Sequence, residues 1–215
     1  LAGKRGSPTR TCIVLRATSS PSVRGASPAY LRRSIKAEWI ALNPFGYQRH
    51  FNSSAIHRRD DPPDAHVRHA IRQAHRLGLK VMLKPHIWLI DRAGGKWRGE
   101  IEMESEAEWK QWFDQYERFI LHYARLAADE EVELLCIGTE LGTAARTREA
   151  DWRRIIRATR QEFDGPLVYA ANWWHEYDQI RFWDDLDYMG INAFFPISEL
   201  ERPSAEELRR GAEQV

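Results

Sequence analysis

Short apolar runs alternate with amphipathic helical stretches along most of this chain, and that alternation limits the possible folds more than any other feature. Leu79–Trp88, Glu133–Glu140, Leu167–Asn172 and Leu186–Phe195 read as strands, and Glu38–Phe45 reads as another ending in Asn43-Pro44-Phe45-Gly46-Tyr47. Between them, Asp64–Leu77 carries Val67, Ala70, Ile71, Ala74 and Leu77 at helical spacing, with Gly78 as its cap. Ser105-Glu106-Ala107-Glu108 is a capping box opening a helix to about residue 128. Trp109, Trp112, Phe113, Tyr116, Phe119, Ile120 and Tyr123 form its apolar stripe, which reads as core. Arg148–Phe163 is a further helix, Glu176–Trp183 a short one, and Ser204 opens a last one.

Strand–helix alternation means right-handed βαβ units and a parallel sheet. A doubly wound sheet and a barrel both satisfy it. No Gly-rich dinucleotide fingerprint follows any strand, which counts against the first. Polar and aromatic residues end strand after strand, which favours the barrel, where the C-terminal strand ends form the reaction face. The expected fold is α/β, a partial (β/α)8 barrel with about strands two to six clear. The N-terminal strand is unclear, and the last strands are expected to be missing, because such barrels run to about 250 residues against 215 here.

Residues 1–37 stand apart. They carry eight Lys and Arg and no Asp or Glu. A disordered arm, a transit peptide and an aberrant, misread stretch all fit, and the first and last fit best. Nucleic-acid binding by this segment is disfavoured, since Tyr30 is its one aromatic. Residues 38–215 are expected to form the incomplete barrel domain. The net charge of +1 favours neither nucleic acid nor an anionic membrane, and no apolar run has the length of a membrane span. The basic start lacks the apolar core of a secretory signal, so a cytoplasmic location is slightly favoured over a secreted one. Cys12 and Cys136 show no metal spacing, and Cys136 reads as a small buried hydrophobe. No cofactor or metal is expected.

The strand ends offer Phe45 and Tyr47, then Lys84, His86 and Trp88, then Glu140, then Asn172, Trp173 and Trp174, then Asn192, Phe194 and Phe195. Glu140 follows Leu134-Leu135-Cys136-Ile137-Gly138-Thr139, so its charge falls where a buried strand leaves the core. A carboxylic acid, amides, cations and flat aromatic faces on one surface suit a hydroxyl-rich ring. Glycosidic cleavage adds the need for two carboxylates. Each residue has a plainer reading. Glu140 could cap a loop or pair with an arginine, Lys84 could pair with a structural acid, His86 could be a satisfied strand-end histidine, and Asn192 could bind backbone. Trp173 and Trp174 would face opposite sides of a continuing strand.

Four segments carry a resemblance: Trp39–Phe45, Lys84-Pro85-His86-Ile87-Trp88, Ile137-Gly138-Thr139-Glu140-Leu141 and Asp187–Pro196. Together, in order over roughly residues 38–200, they resemble glycoside hydrolase family 113, which contains β-1,4-mannanases. The resemblance implies a (β/α)8 barrel of the retaining clan A type, acting on an oligo- or polysaccharide as a monomer. It implies Glu140 as acid/base on barrel strand four. Lys84, His86, Trp88, Asn172, Trp173, Asn192, Phe194 and Tyr47 are the residues expected to bind substrate. Two departures stand out. Thr139 occupies the position where the clan has an Asn that contacts the sugar 2-hydroxyl. The clan's nucleophile on strand seven has no counterpart, so this chain alone is expected to be inactive on mannan, with Glu199 and Glu201 as surface acids. A non-catalytic carbohydrate-binding barrel and a lysine-dependent aldolase using Lys84 are the rival readings.

Overall fold

The computed structural model describes residues 37–58, 63–194 and 196–214. Expectations for residues 1–36, Cys12 and Phe195 lie outside the described residues. Five strands build the main sheet: β1 (Trp39–Leu42), β4 (Lys80–Leu83), β6 (Leu134–Thr139), β7 (Leu167–Asn172) and β8 (Tyr188–Asn192). They lie side by side in that order and every pair is parallel. The sheet is curled into a half-barrel, a partial (β/α)8 fold, as expected. Helix α1 (Asp64–Arg76) packs on β1 and β4. Helix α2 (Glu106–Asp129) packs on β6 and against α4 (Glu149–Glu162), while α3 (Gly142–Thr147) and α5 (Ala205–Ala212) are short.

Side-chain alternation along the strands divides the interior in two. Val81, Leu83, Leu135, Ile137, Leu167 and Tyr169 face the helices in one large cluster. Met82, Leu134, Cys136, Val168 and Ala170 form a smaller cluster on the opposite face. Being covered on both faces, all six residues of β6 are buried, which is why its sequence is an unbroken apolar run. The α2 stripe is core, from Trp109 through Tyr123, and Ser105 and Glu108 cap the helix reciprocally. Trp112 stacks on Tyr116 at 4.9 Å, and Trp152 meets Tyr116, Tyr169 and Phe182 at 5.2–5.4 Å. Each such ring contributes on the order of 2–3 kcal/mol by leaving water.

Four expectations need correction. Glu38–Phe45 and Leu79–Trp88 are each two strands. β1 continues as β2 (Phe45–Gln48), and β4 continues as β5 (His86–Leu89). Pairing of Leu42 with Leu83 and of Phe45 with His86 puts Pro44 opposite Pro85. Neither proline has an N–H to give the ladder, so both strands break at the same level. Beyond the break, β2 and β5 join β3 (Ile56–Arg58) in a separate sheet of order β3-β2-β5. In addition, Glu176–Trp183 is not a helix. Residues 173–179 form turns and a 3-10 turn follows at Trp183–Asp185. The Glu176 carboxylate is bound back to Asn172 and Tyr169, and His175 has a left-handed backbone, φ 53°. That local hydrogen bonding competes with helix formation. Finally, the strand expected from Leu186 begins at Tyr188, where Asp187 turns its carboxylate to Leu167 N–H and Arg160, and it runs to Asn192.

Candidate active site

The site begins with an irregularity in β6. Its register with β7 shifts between Cys136 and Gly138. Ile137 and Gly138 both lie against the helix side; a Cβ on Gly138 would meet the rings of Tyr169 and Trp152 at 2.6 and 2.7 Å. The carbonyl left over at Ile137 accepts the phenol of Tyr116 at 2.9 Å. A bulge of this kind re-aims the residues that follow it. Thr139 then falls beside Cys136, Oγ1 to Sγ 3.7 Å. Regular alternation would next send Glu140 to the helix side. Instead Glu140 has φ 50°, an uncommon left-handed conformation for a side-chain-bearing residue. The residue is 3% exposed.

Two groups hold that carboxylate. Arg98, in the loop after β5, pairs directly with Oε2. The Asn172 side-chain amide donates to Oε1 at 3.4 Å. The pairing of Glu140 with an arginine, one of its plainer readings, is therefore present. Arg98 is one-quarter exposed, leans over the Trp97 ring at 5.7 Å and keeps its Nε buried without a partner among the described residues. Its loop is fastened to the start of α3, where Thr143 donates to the Gly99 carbonyl at 3.1 Å.

Asn172 is the hub of the β7 end. Its side-chain oxygen accepts Trp174 N–H at 2.7 Å, and its own backbone N–H goes to Glu176 Oε2 at 2.6 Å. Glu176 is 2% exposed. Burial, opposed by hydrogen bonds from Tyr169 and Asn172, raises its carboxyl to about 7. Lys84, buried at the β4 end, donates to Asn192 Oδ1 at the β8 end at 2.8 Å. This is the partner Lys84 has in place of a structural acid.

The alternation that turns Lys84 to the mouth continues past Pro85. Phe45 and Tyr47 on β2 lie opposite His86 and Trp88 on β5, while Gly46, Gln48, Ile87 and Leu89 fill the buried face. Phe45 touches Tyr47, His86 and Trp88 at centroid distances of 6.4, 5.7 and 5.9 Å. Trp88 is half exposed. Burial, aided by the cations of Arg98 and Lys84, pushes His86 down to about 3. It is therefore a neutral ring at ordinary pH.

The structure thus brings Glu140, Asn172, Lys84 and Asn192 to the C-terminal strand ends and sets Tyr47, His86 and Trp88 on an adjoining aromatic face. Trp173 leaves the strand and meets Trp174 edge-on at 5.3 Å. β7 ends at Asn172, so the strand does not continue through the two tryptophans and the alternation that would set them on opposite sides does not apply. Phe194 lies beyond β8 and is largely exposed. Arg98 and Glu176 are the residues that the sequence reading missed. Arg98 meets its partner 42 positions away from a loop without periodicity. Glu176 looked like an ordinary helix residue. Among the described residues no group of three or more His, Cys, Asp or Glu could hold a metal ion, and no helix is long and apolar enough to cross a membrane.

A curled parallel sheet with helices outside, and an acid and amides at the C-terminal strand ends, defines a (β/α)8-type protein with its working face at those ends. The model of Glycoside Hydrolase Family 113 matches residues 24–214, and the chain belongs to that family. Among solved structures, the GH113 β-mannanase AaManA from Alicyclobacillus acidocaldarius, in complex with ManMIm, is similar at 32% identity and TM-score 0.73, over 94% of this chain and 66% of that one. A GH113 β-1,4-mannanase matches at 27% identity and TM-score 0.73, over 87% of this chain and 60% of that one. A complex structure of a GH113 β-1,4-mannanase shares the fold at 24% identity and TM-score 0.73, over 94% and 67%. This chain therefore spans 60–67% of the length of these three relatives. No match was found among curated proteins.

Proposed function

We propose that the protein carrying this chain is a retaining glycoside hydrolase of β-1,4-linked polysaccharide, most simply an endo-β-1,4-mannanase, with Glu140 as its acid/base. The observation that carries the reading is the Glu140 carboxylate at the end of β6, turned by a bulge and a left-handed residue toward Asn172 in a chain of family 113. The mannanase names of the similar structures support the choice of substrate.

In this reading Glu140 protonates the leaving glycosidic oxygen and then deprotonates the water that attacks the glycosyl ester. Arg98 accompanies the carboxylate in the free site and must yield or shift when the carboxyl carries its proton. Lys84, Asn192 and Asn172 supply donors and acceptors for sugar hydroxyls. Tyr47 and Trp88 offer apolar faces to the C–H side of the rings, and neutral His86 can accept or donate without adding charge. Trp173 and Phe194 are proposed at the rim of the cleft. The nucleophile, about 5–5.5 Å from the acid/base in retaining enzymes, is assigned to no residue of this chain.

The test is reducing-end release from mannan, glucomannan, xylan and cellulose by the protein carrying this chain and by its Glu140→Gln variant. Hydrolysis of mannan that collapses in the variant supports both reaction and residue. Hydrolysis unchanged by Glu140→Gln contradicts the site. Glycan binding without hydrolysis would favour a carbohydrate-binding barrel.

A further inference from the structure

Glu176 is a buried acid that the proposed reaction leaves unused, and it sits where two strand ends meet. Its Oε1 accepts the Tyr169 hydroxyl at 2.5 Å, and its Oε2 accepts the backbone N–H of Asn172 at 2.6 Å. The Tyr169 oxygen in turn accepts the backbone N–H of Leu141 at 2.8 Å. Leu141 follows Glu140 directly, and Asn172 carries the amide that faces the Glu140 carboxylate. One carboxylate thus ties the backbone beside Glu140 to the backbone of its partner.

The two donors that Glu176 receives suit its ionised form best. An ionised carboxylate is purely an acceptor, and here it receives two donors. A protonated carboxyl would have a proton to place. The phenol oxygen already accepts from Leu141, and its own proton would lose its acceptor.

We propose that Glu176 is a positioning residue for the acid/base, its ionised carboxylate clamping Asn172 directly and Leu141 through Tyr169 so that the Glu140 carboxylate and the Asn172 amide stay in register. The inference rests on the glycosidase reading of Glu140. It assigns work to a residue that touches neither sugar nor reacting atoms. The left-handed backbone at Glu140 makes such a clamp necessary: an uncommon conformation persists only where its surroundings over-determine it.

The charged and titratable groups facing Glu176 are Tyr169 from β7, Glu140 from the end of β6 and Arg146 from α3. Burial and the Glu140 charge oppose its ionisation, and Tyr169, Asn172 and Arg146 support it, leaving it near 7. Acidification through that value should therefore weaken the hold on Tyr169 and Asn172.

The experiment compares kcat and KM on mannan from pH 4 to 9 for the protein carrying this chain and its Glu176→Gln, Glu176→Ala, Tyr169→Phe and Glu140→Gln variants. Glu176→Ala and Tyr169→Phe are expected to lower kcat by roughly 10- to 100-fold, the scale of a small misplacement, with KM nearly unchanged. Glu176→Gln keeps an acceptor for Asn172 N–H and should recover part of that loss. In both Glu176 variants the acid-side limb near pH 7 should vanish. If Glu176→Ala does not fold, Glu176→Gln and Tyr169→Phe still decide the matter. Wild-type kcat and an unchanged pH profile in these two, with Glu140→Gln inactive, would overturn the positioning role alone. A wild-type protein that does not cleave mannan, or one that tolerates Glu140→Gln, would overturn the glycosidase reading and the clamp with it.

Discussion

Lys84 Nζ donates to Asn192 Oδ1 at 2.8 Å although β6 and β7 stand between their two strands. In a flat sheet three strand spacings would separate the strands by about 14 Å, too far for these side chains to meet. Their contact exists because the sheet curls, so it records the curvature that makes a cleft. It also gives the buried Lys84 amine one amide oxygen as its side-chain acceptor among the described residues. Asn192→Ala should leave that amine without its acceptor and cost about 1–3 kcal/mol. The double variant Lys84→Met/Asn192→Ala should cost less than the sum of the single changes. Denaturant unfolding of the four proteins checks this; strict additivity would mean that the pair is not coupled.

His86 and Glu176 should give stability opposite dependences on pH. His86 lies near 3 in the fold against 6.5 when free. Between those values the unfolded chain binds the extra proton, so this group lowers stability as pH falls below 6.5. His86→Gln should flatten the loss on the acid side.

Glu176 runs the other way. It lies near 7 in the fold against 4.5 when free. Between those values the folded protein binds the extra proton, so stability falls as pH rises from 4.5 to 7. Glu176→Gln should reduce that slope. Melting temperatures from pH 3 to 9 test both, and an unaltered slope in either variant would count against the corresponding assignment.

Two buried tryptophans should respond unequally to the same change. Trp112 Nε1 donates to the buried Gln48 Oε1 at 2.8 Å. Trp152 Nε1 is buried without a hydrogen-bond partner among the described residues. Both lie in the large core. Trp112→Phe loses volume and strands the Gln48 oxygen, costing about 2–4 kcal/mol. Trp152→Phe loses volume but also removes an unpaired donor, so its cost should be smaller by about 1 kcal/mol or more. Equal costs by chemical denaturation would contradict this difference.

The parts legible in the sequence were those set by local periodicity. The Ser105/Glu108 and Ser204/Glu207 capping boxes mark helix starts because the reciprocal bond is a short-range pattern. The α2 stripe from Trp109 to Tyr123 marks its buried face for the same reason. Glu140 stood out because a charge ends an apolar run. The split strands also had a signal, Pro44 and Pro85, since proline is seldom tolerated inside a paired strand. Their alignment across two strands became visible only with the register. The bulge at Ile137, the pairing of Arg98 with Glu140 and the burial of Glu176 depend on contacts between distant elements. A bulge, a loop arginine and a turn glutamate leave no period to read.

The most direct test of the account is the leaving-group dependence of a Glu140→Ala variant. If Glu140 donates the proton, the variant should lose about 10²–10⁴-fold on mannan. It should lose far less at the bond-breaking step on a dinitrophenyl β-mannoside, whose leaving group needs no proton. Added azide should then speed turnover and yield a β-glycosyl azide, since the small anion needs no general base. Equal losses on both substrates, with no azide product, would contradict the assignment of Glu140 as the acid/base.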